Sequence, residues 1–214
     1  EFVVKGTHAV YATNCILQHR EIHHRIKNNI STIGSLLSMQ IQSVSNEEAL
    51  SVLQDAVGRV HSMSALYDKL LIPNDYSESS VKRYVEGLID SLSELFFDKT
   101  KHSIDTRITD FNLPSRTLFP LGIIINELIT NTMKYAFDGK TDGLIEVLLT
   151  KKENHITLTI QDNGFGLPKD FTLNGAKGFG LTLVKMLSDQ LQGNYTIENR
   201  EDSSGTISVL EFDM

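Results

Sequence analysis

The chain is poor in several things at once. It has one cysteine, Cys15, no tryptophan and four prolines in 214 residues. A single thiol cannot build a disulfide framework, which points to a reducing compartment and a cytoplasmic location. No apolar run approaches the roughly 20 residues that span a bilayer. The richest, Leu121 to Ile129, is broken by Asn126 and Glu127. There is no signal-peptide pattern, and the missing initiator Met reads as a fragment with Glu1-Phe2 as a cloning scar. Positive charge is also scarce. The net charge is −7, and nothing beyond Lys151-Lys152 forms a basic patch, so nucleic acid is not an expected partner. G-x-x-x-x-G-K-[ST] is absent, and no G-x-G-x-x-G opens a βαβ unit, which excludes P-loop and Rossmann nucleotide sites.

What is present is ordinary globular material, 40% hydrophobic and 22% charged. Two long helices lead. The first runs from about Cys15 to Val44, with Ile22, Ile26, Ile30, Ile33, Leu37 and Ile41 in a sector about 100° wide. Gly34 weakens it without ending it. Ser45 with Glu48 reads as a capping box for the second helix, whose stripe includes Leu53, Val57 and Val60 and which stops at Pro73. The pair forms a helical hairpin with apolar surface left over, which a four-helix bundle made by dimerisation would bury. Pro73 to Ser80 reads as a linker, dividing a domain 1–75 from a domain 76–214.

Beyond the linker the pattern is α+β. Helices are expected over Val81–Phe97, Pro114–Ala136 (reset at Pro120) and Leu181–Leu191, the last closed by Gly193 at C′. Strands are expected over Ser103–Ile108, Leu144–Leu149, Ile156–Ile160, Tyr195–Glu198 and Thr206–Phe212. Together they make a sheet covered by helices on one face.

Three constellations carry chemistry. On the first helix His24 lies nearly opposite the apolar sector, with Glu21 at i−3 and Asn28 at i+4 on the same outer face. A carboxylate that accepts from one ring N–H fixes the tautomer and leaves the other nitrogen free to attack. His23 lies on the flank of the apolar sector. On the helix after Pro120, Glu127, Asn131 and Lys134 form one row, with Ile125, Leu128, Ile129, Thr132 and Ala136 assigned to the core side. Hard oxygen donors suit Mg²⁺, and an ammonium neutralises phosphate. Asp162, at a strand end before Gly164 and Gly166, can accept a hydrogen bond from an amine such as adenine N6. The glycine segment ending in Gly178-Phe179-Gly180 leads straight into a helix, where backbone N–H groups favour an anion. Each stripe alone also fits a plain solvated face or turn.

Taken in order, N-E-L-I-T-N-T-M-K-Y-A-F, D-N-G-F-G-L-P and G-F-G-L-T-L-V-K resemble the N, G1 and G2 boxes of the Bergerat-type (GHKL) ATPase domain. E-I-H-H-R-I-K-N-N resembles the phosphoacceptor helix of sensor histidine kinases with an H-R-x-K-N signature, a branch related to the HWE group. The chain departs from HWE itself, since Asn126 precedes the box Glu and no Trp-x-Glu appears. The resemblance covers about residues 20 to 214. It implies a Bergerat α/β sandwich, ATP and Mg²⁺, a homodimeric hairpin and a response-regulator receiver domain as partner. It further implies His24 as the phosphorylated residue with His23 as runner-up, Asn131 with Glu127 at the metal, and Asp162 reading adenine. Gly164, Gly166, Gly178 and Gly180 would frame the nucleotide, Leu167 to Lys177 would form a short lid, Lys177 would touch phosphate, and Thr206 would support the base. The rivals are a nucleotide-binding regulatory module without catalysis and a metal-binding adaptor using His19 and His23.

Overall fold

The computed structural model describes residues 27–71, 79–96, 102–140, 142–173, 179–201 and 204–214. The chain divides into two compact units, Glu1–Ile72 and Pro73–Met214.

In the first unit, helix α1 covers residues 27–41 and α2 covers Glu47–Leu71. Three hydroxyls of α1, on Thr32, Ser35 and Ser38, donate back to the carbonyls of Asn28, Ser31 and Gly34. Gly34 is more than a tolerated weak point. A Cβ there would lie 3.3 Å from Val60 Cγ1, so the missing side chain lets the two helices approach. The cap of α2 falls one residue later than expected. Asn46 Oδ1 accepts the Ala49 N–H at 2.9 Å, and Ser45 lies outside the helix. Asn and Ser are about equal as N-caps, so backbone geometry decides between them. Asn46→Ala should lower stability by about 1 kcal/mol in denaturation followed by helical circular dichroism. Ser45→Ala should stay within about 0.5 kcal/mol.

The second unit is built on a five-stranded sheet of β2 (Ser103–Ile108), β4 (Leu144–Lys152), β5 (His155–Asp162), β6 (Asn194–Asn199) and β7 (Thr206–Asp213). Its order is β2-β4-β5-β7-β6, with β2 and β4 parallel and the other neighbours antiparallel. A two-residue bridge, β1 (Ser79–Ser80) with β3 (Asn112–Leu113), ties the start of α3 (Val81–Phe96) to the start of α4 (Ser115–Tyr135). The last two residues of the expected linker therefore belong to this unit. Ser80 caps α3, accepting from Arg83 N–H at 3.1 Å.

Strand period places the core on one face. Leu149, Leu158, Leu210 and Tyr195 are paired in sequence across four strands, and all are buried. Each fully buried Leu or Ile contributes about 1.5–3 kcal/mol. Burial pushes the Tyr195 phenol up to about 12, against the pull of its hydrogen bond with Ser208. At the other end of β5, His155 lies between Asp213 (2.8 Å) and Glu211 (3.7 Å), and the Asp213 hydrogen bond raises the imidazole above its usual range.

Helix α4 is the centre of the unit. It runs through Pro120 without a reset, so the proline sits in the second turn rather than the first. Every residue from Pro120 to Ile129 is buried. The one-sided core read from the sequence is therefore too narrow: α4 packs against α3, β5 and α5 together. Glu127 is 2% exposed and does not lie on a solvated row with Asn131 and Lys134. Gly122 is the contact point with α3, because a Cβ there would stand 2.0 Å from Tyr84 Oη. Burial raises the Tyr84 phenol strongly.

Helix α5 (Phe179–Gln190) ends in a Schellman pair, Gly193 N–H to Ser188 O and Gln192 N–H to Asp189 O. The left-handed C′ residue is Gln192 (φ 56°), not Gly193. Glycine serves the next position, where a Cβ would be 2.7 Å from Glu211 O on β7.

Candidate active site

The candidate residues converge where β5 ends. Asp162 is its last residue and is 2% exposed. Its Oδ1 accepts the N–H of Gly164 (2.7 Å) and of Thr206 (3.3 Å), and its Oδ2 accepts the Thr206 hydroxyl. Thr206 is the first residue of β7, next to β5 in the sheet, so strand pairing itself brings the two side chains together.

The backbone around Asp162 is enclosed. Gly205 (φ 115°) passes so close that a Cβ there would lie 2.0 Å from Asp162 O. Arg200 Nη1 donates to the same carbonyl at 3.3 Å. Asn163 extends the β4–β5 ladder by one rung, its N–H bonding Leu144 O and its Oδ1 accepting Leu144 N–H. Its own carbonyl accepts from Lys140 Nζ. Gly164 then crosses the end of α4, where a Cβ would meet Ala136 O at 2.4 Å. The Phe165 N–H donates to that carbonyl at 3.1 Å. Gly166 (φ 83°) completes the turn.

The carboxyl-terminal end of α4 therefore abuts the Asp162 loop through its cap residue Ala136. Upstream on that helix, Asn131 is half-buried, Lys134 exposed and Glu127 buried. Gly180, the second residue of α5, is buried, and α5 packs on α4. Phe165 and Phe179, in the two glycine segments, are largely exposed. Asn28 is exposed on α1, in the other unit. His23, His24, Glu21, Lys177 and Gly178 lie outside the described residues, as does the His19–His23 pair. An open groove of about 430 Å³ at the start of α3, lined by Lys82, Arg83, Glu86, Asp90 and Asp110 among others, holds none of the candidates.

Sequence reasoning missed Asn163, Asn199, Arg200, Lys140 and Gly205 as parts of this site. Asn163 and Gly205 read from the sequence only as turn residues, in D-N-G and in the hairpin turn before Thr206. Nothing in the local pattern marks Arg200 or Lys140, whose partners are 38 and 23 residues away.

A buried carboxylate with glycine on both sides, held at a strand end beside a helix, suits a planar base with an exocyclic amine. Comparison with known proteins is decisive. A profile described as "Histidine kinase" matches residues 21–96, and one described as "Histidine kinase-, DNA gyrase B-, and HSP90-like ATPase" matches residues 119–214. The chain belongs to the histidine kinase family.

Among its relatives, the sensor histidine kinase PdtaS of Mycolicibacterium smegmatis is 31% identical over 194 residues, 89% of this chain and 38% of that protein. Blue-light-activated histidine kinase 2 of Erythrobacter litoralis is 22% identical over 208 residues, 95% of this chain and 58% of its own length. The chain thus spans 38% to 58% of the length of these curated relatives, less than two thirds of each. Among solved structures, the histidine kinase domain of the Erythrobacter litoralis EL346 blue-light activated histidine kinase superposes with TM-score 0.64. That likeness covers 85% of this chain and 95% of that one at 16% identity, and it speaks for the fold alone. Along the chain the region that matches the histidine kinase profile precedes the region that matches the ATPase profile. Among the described residues no helix is long and apolar enough to cross a membrane.

Proposed function

We propose that this chain is the kinase core of a two-component sensor. His24 takes the γ-phosphoryl group of ATP and passes it to an aspartate on a response-regulator receiver domain. The observation that carries the reading is the buried, bracketed carboxylate of Asp162. A carboxylate offers about four acceptor positions. Three are filled by Gly164 and Thr206, which leaves one on Oδ2 for the exocyclic amine of adenine.

In this reading Gly164, Gly166, Gly178 and Gly180 let the backbone approach the nucleotide, and Lys134 and Lys177 neutralise phosphate charge. Asn131 and Glu127 would hold Mg²⁺. Among the described residues no three His, Cys, Asp or Glu side chains cluster as a metal site, and this fits an ion bound mainly by phosphate oxygens and water. When bound, it supplies charge neutralisation at the phosphates. Glu21 accepts from one ring nitrogen of His24 and Asn28 supports the same face. The other nitrogen attacks the γ-phosphorus, an N–P bond forms, the bond to the bridging oxygen breaks and ADP leaves. Residues 1–75 act as the dimerisation and phosphoacceptor domain and 76–214 as the ATP-binding domain, in the cytoplasm. The exposure of Ile33, Leu36 and Met39 on α1 supports closure of the hairpin into a dimeric four-helix bundle.

The test is incubation with γ-labelled ATP and Mg²⁺. Acid-labile, alkali-stable label on the protein is expected. ATP binding without any label would instead make the chain a non-catalytic nucleotide module.

A further inference from the structure

We propose that Asn199 is a positioning residue for nucleotide binding, acting through the loop Asp162–Leu167; the inference rests on the ATP-site reading above. Asn199 is the last residue of β6, an outer strand of the sheet. Its Oδ1 accepts the Leu167 N–H at 2.6 Å and its Nδ2 donates to the Leu167 carbonyl at 3.3 Å. One side-chain amide thus gives a single residue both bonds that a neighbouring strand would give.

The loop is shaped to receive this amide. Gly166 precedes Leu167 with φ 83°, and a Cβ on it would stand 2.6 Å from Asn199 Oδ1. Any side chain at 166 would therefore push the amide away from its two bonds.

Asn199 also has a telling partner. In the β6–β7 register it faces Thr206. Thr206 holds the first residue of the loop through its hydroxyl and N–H on Asp162, while Asn199 holds the last through Leu167. One cross-strand pair therefore fastens both ends of the same six-residue turn. Between those ends the loop leans on α4 through Phe165 and on β4 through Asn163. Release of the distal end frees Gly164 to Leu167 to move relative to the Asp162 carboxylate. The base would then meet a less ordered wall, while the phosphoacceptor chemistry, carried by other residues, would be untouched. The consequence belongs in affinity and not in turnover.

Asn199→Ala and Asn199→Asp, each in the full chain, test this. Three measurements are needed: titration with a non-hydrolysable ATP analogue and Mg²⁺, autophosphorylation across ATP concentrations, and thermal unfolding. For Asn199→Ala, loss of two hydrogen bonds should raise both Kd and KM about tenfold, with the rate at saturating ATP within about twofold of wild type. Asn199→Asp keeps the acceptor for the Leu167 N–H but sets an oxygen against the Leu167 carbonyl, so its KM should rise at least as far. Kd and KM within about twofold of wild type in both variants would overturn the proposal. So would a fall in rate at unchanged KM, or a lowered melting temperature with unchanged Kd, which marks a purely structural contact. If wild type itself fails to bind the analogue, the ATP-site reading falls and this inference falls with it. A wild type that binds, beside variants that bind equally well, removes only the role of Asn199.

Discussion

His24→Ala is expected to bind ATP as wild type does and to incorporate at least ~10³-fold less acid-labile phosphate, since removal of a nucleophile eliminates the bond-forming atom itself. The expectation begins with the sequence pattern. On a helical wheel His24 is expected opposite the apolar sector that begins at Ile22, and His23 on its flank. Asp162, the carboxylate proposed to read adenine, is in the other unit of the chain, so loss of the imidazole should leave nucleotide affinity within about twofold. His23→Ala is the matched control and should keep its label. The measurement is a pair: ATP-analogue titration and γ-label incorporation on the same preparations. Label that survives in His24→Ala and disappears in His23→Ala would move the phosphoacceptor by one residue. Label that survives in both would remove the histidine mechanism from this helix.

The ease of reading the fold from the sequence varied with how local the cause was. Strand β2 was legible to the residue, because Ser103–Ile108 alternates and its pairing needs no unusual turn. Helix α4 was legible in extent but not in burial. A helical wheel assumes one core-facing side, and it cannot register α3 and α5 arriving from other directions. The wheel therefore sets Glu127 in a polar row with Asn131 and Lys134, away from the core side, although it is among the most buried charged residues described. The caps slipped by one residue for a related reason. Asn46 and Ser45 have nearly the same capping preference, and Gln192 takes the left-handed position that would ordinarily go to glycine because Gly193 is needed against β7. At the site, Asp162, Gly164, Gly166 and Thr206 were visible as an ordered motif set. Asn199 and Arg200 were not, because their partners are determined by the β6–β7 pairing rather than by any spacing along the chain.

Gly205→Ala should be the most damaging single-methyl change near the proposed nucleotide site. Two costs combine. The backbone at 205 has φ 115°, where an L side chain costs of order 1–3 kcal/mol. The new Cβ would also lie 2.0 Å from Asp162 O and 2.7 Å from its carbonyl carbon, a backbone group at the end of β5 that cannot swing aside as a side chain can. Either the turn into β7 or the end of β5 must shift, and both hold the carboxylate bracket. A shift that loses the Thr206 bonds to Asp162 removes charge-assisted hydrogen bonds of about 1.5–3 kcal/mol, or roughly 10- to 100-fold in ATP affinity. Stability of the ATPase unit should fall by about 2–4 kcal/mol. Gly139→Ala separates the two costs. Its φ of 72° is also left-handed, but nothing lies within 4 Å of a Cβ there, so only strain is added. It should lose about 1 kcal/mol and keep its ATP affinity. The comparison is made by thermal unfolding and ATP-analogue titration on both variants. Equal losses of affinity would mean that strain alone accounts for the effect and that close contact between Gly205 and Asp162 does not shape the site.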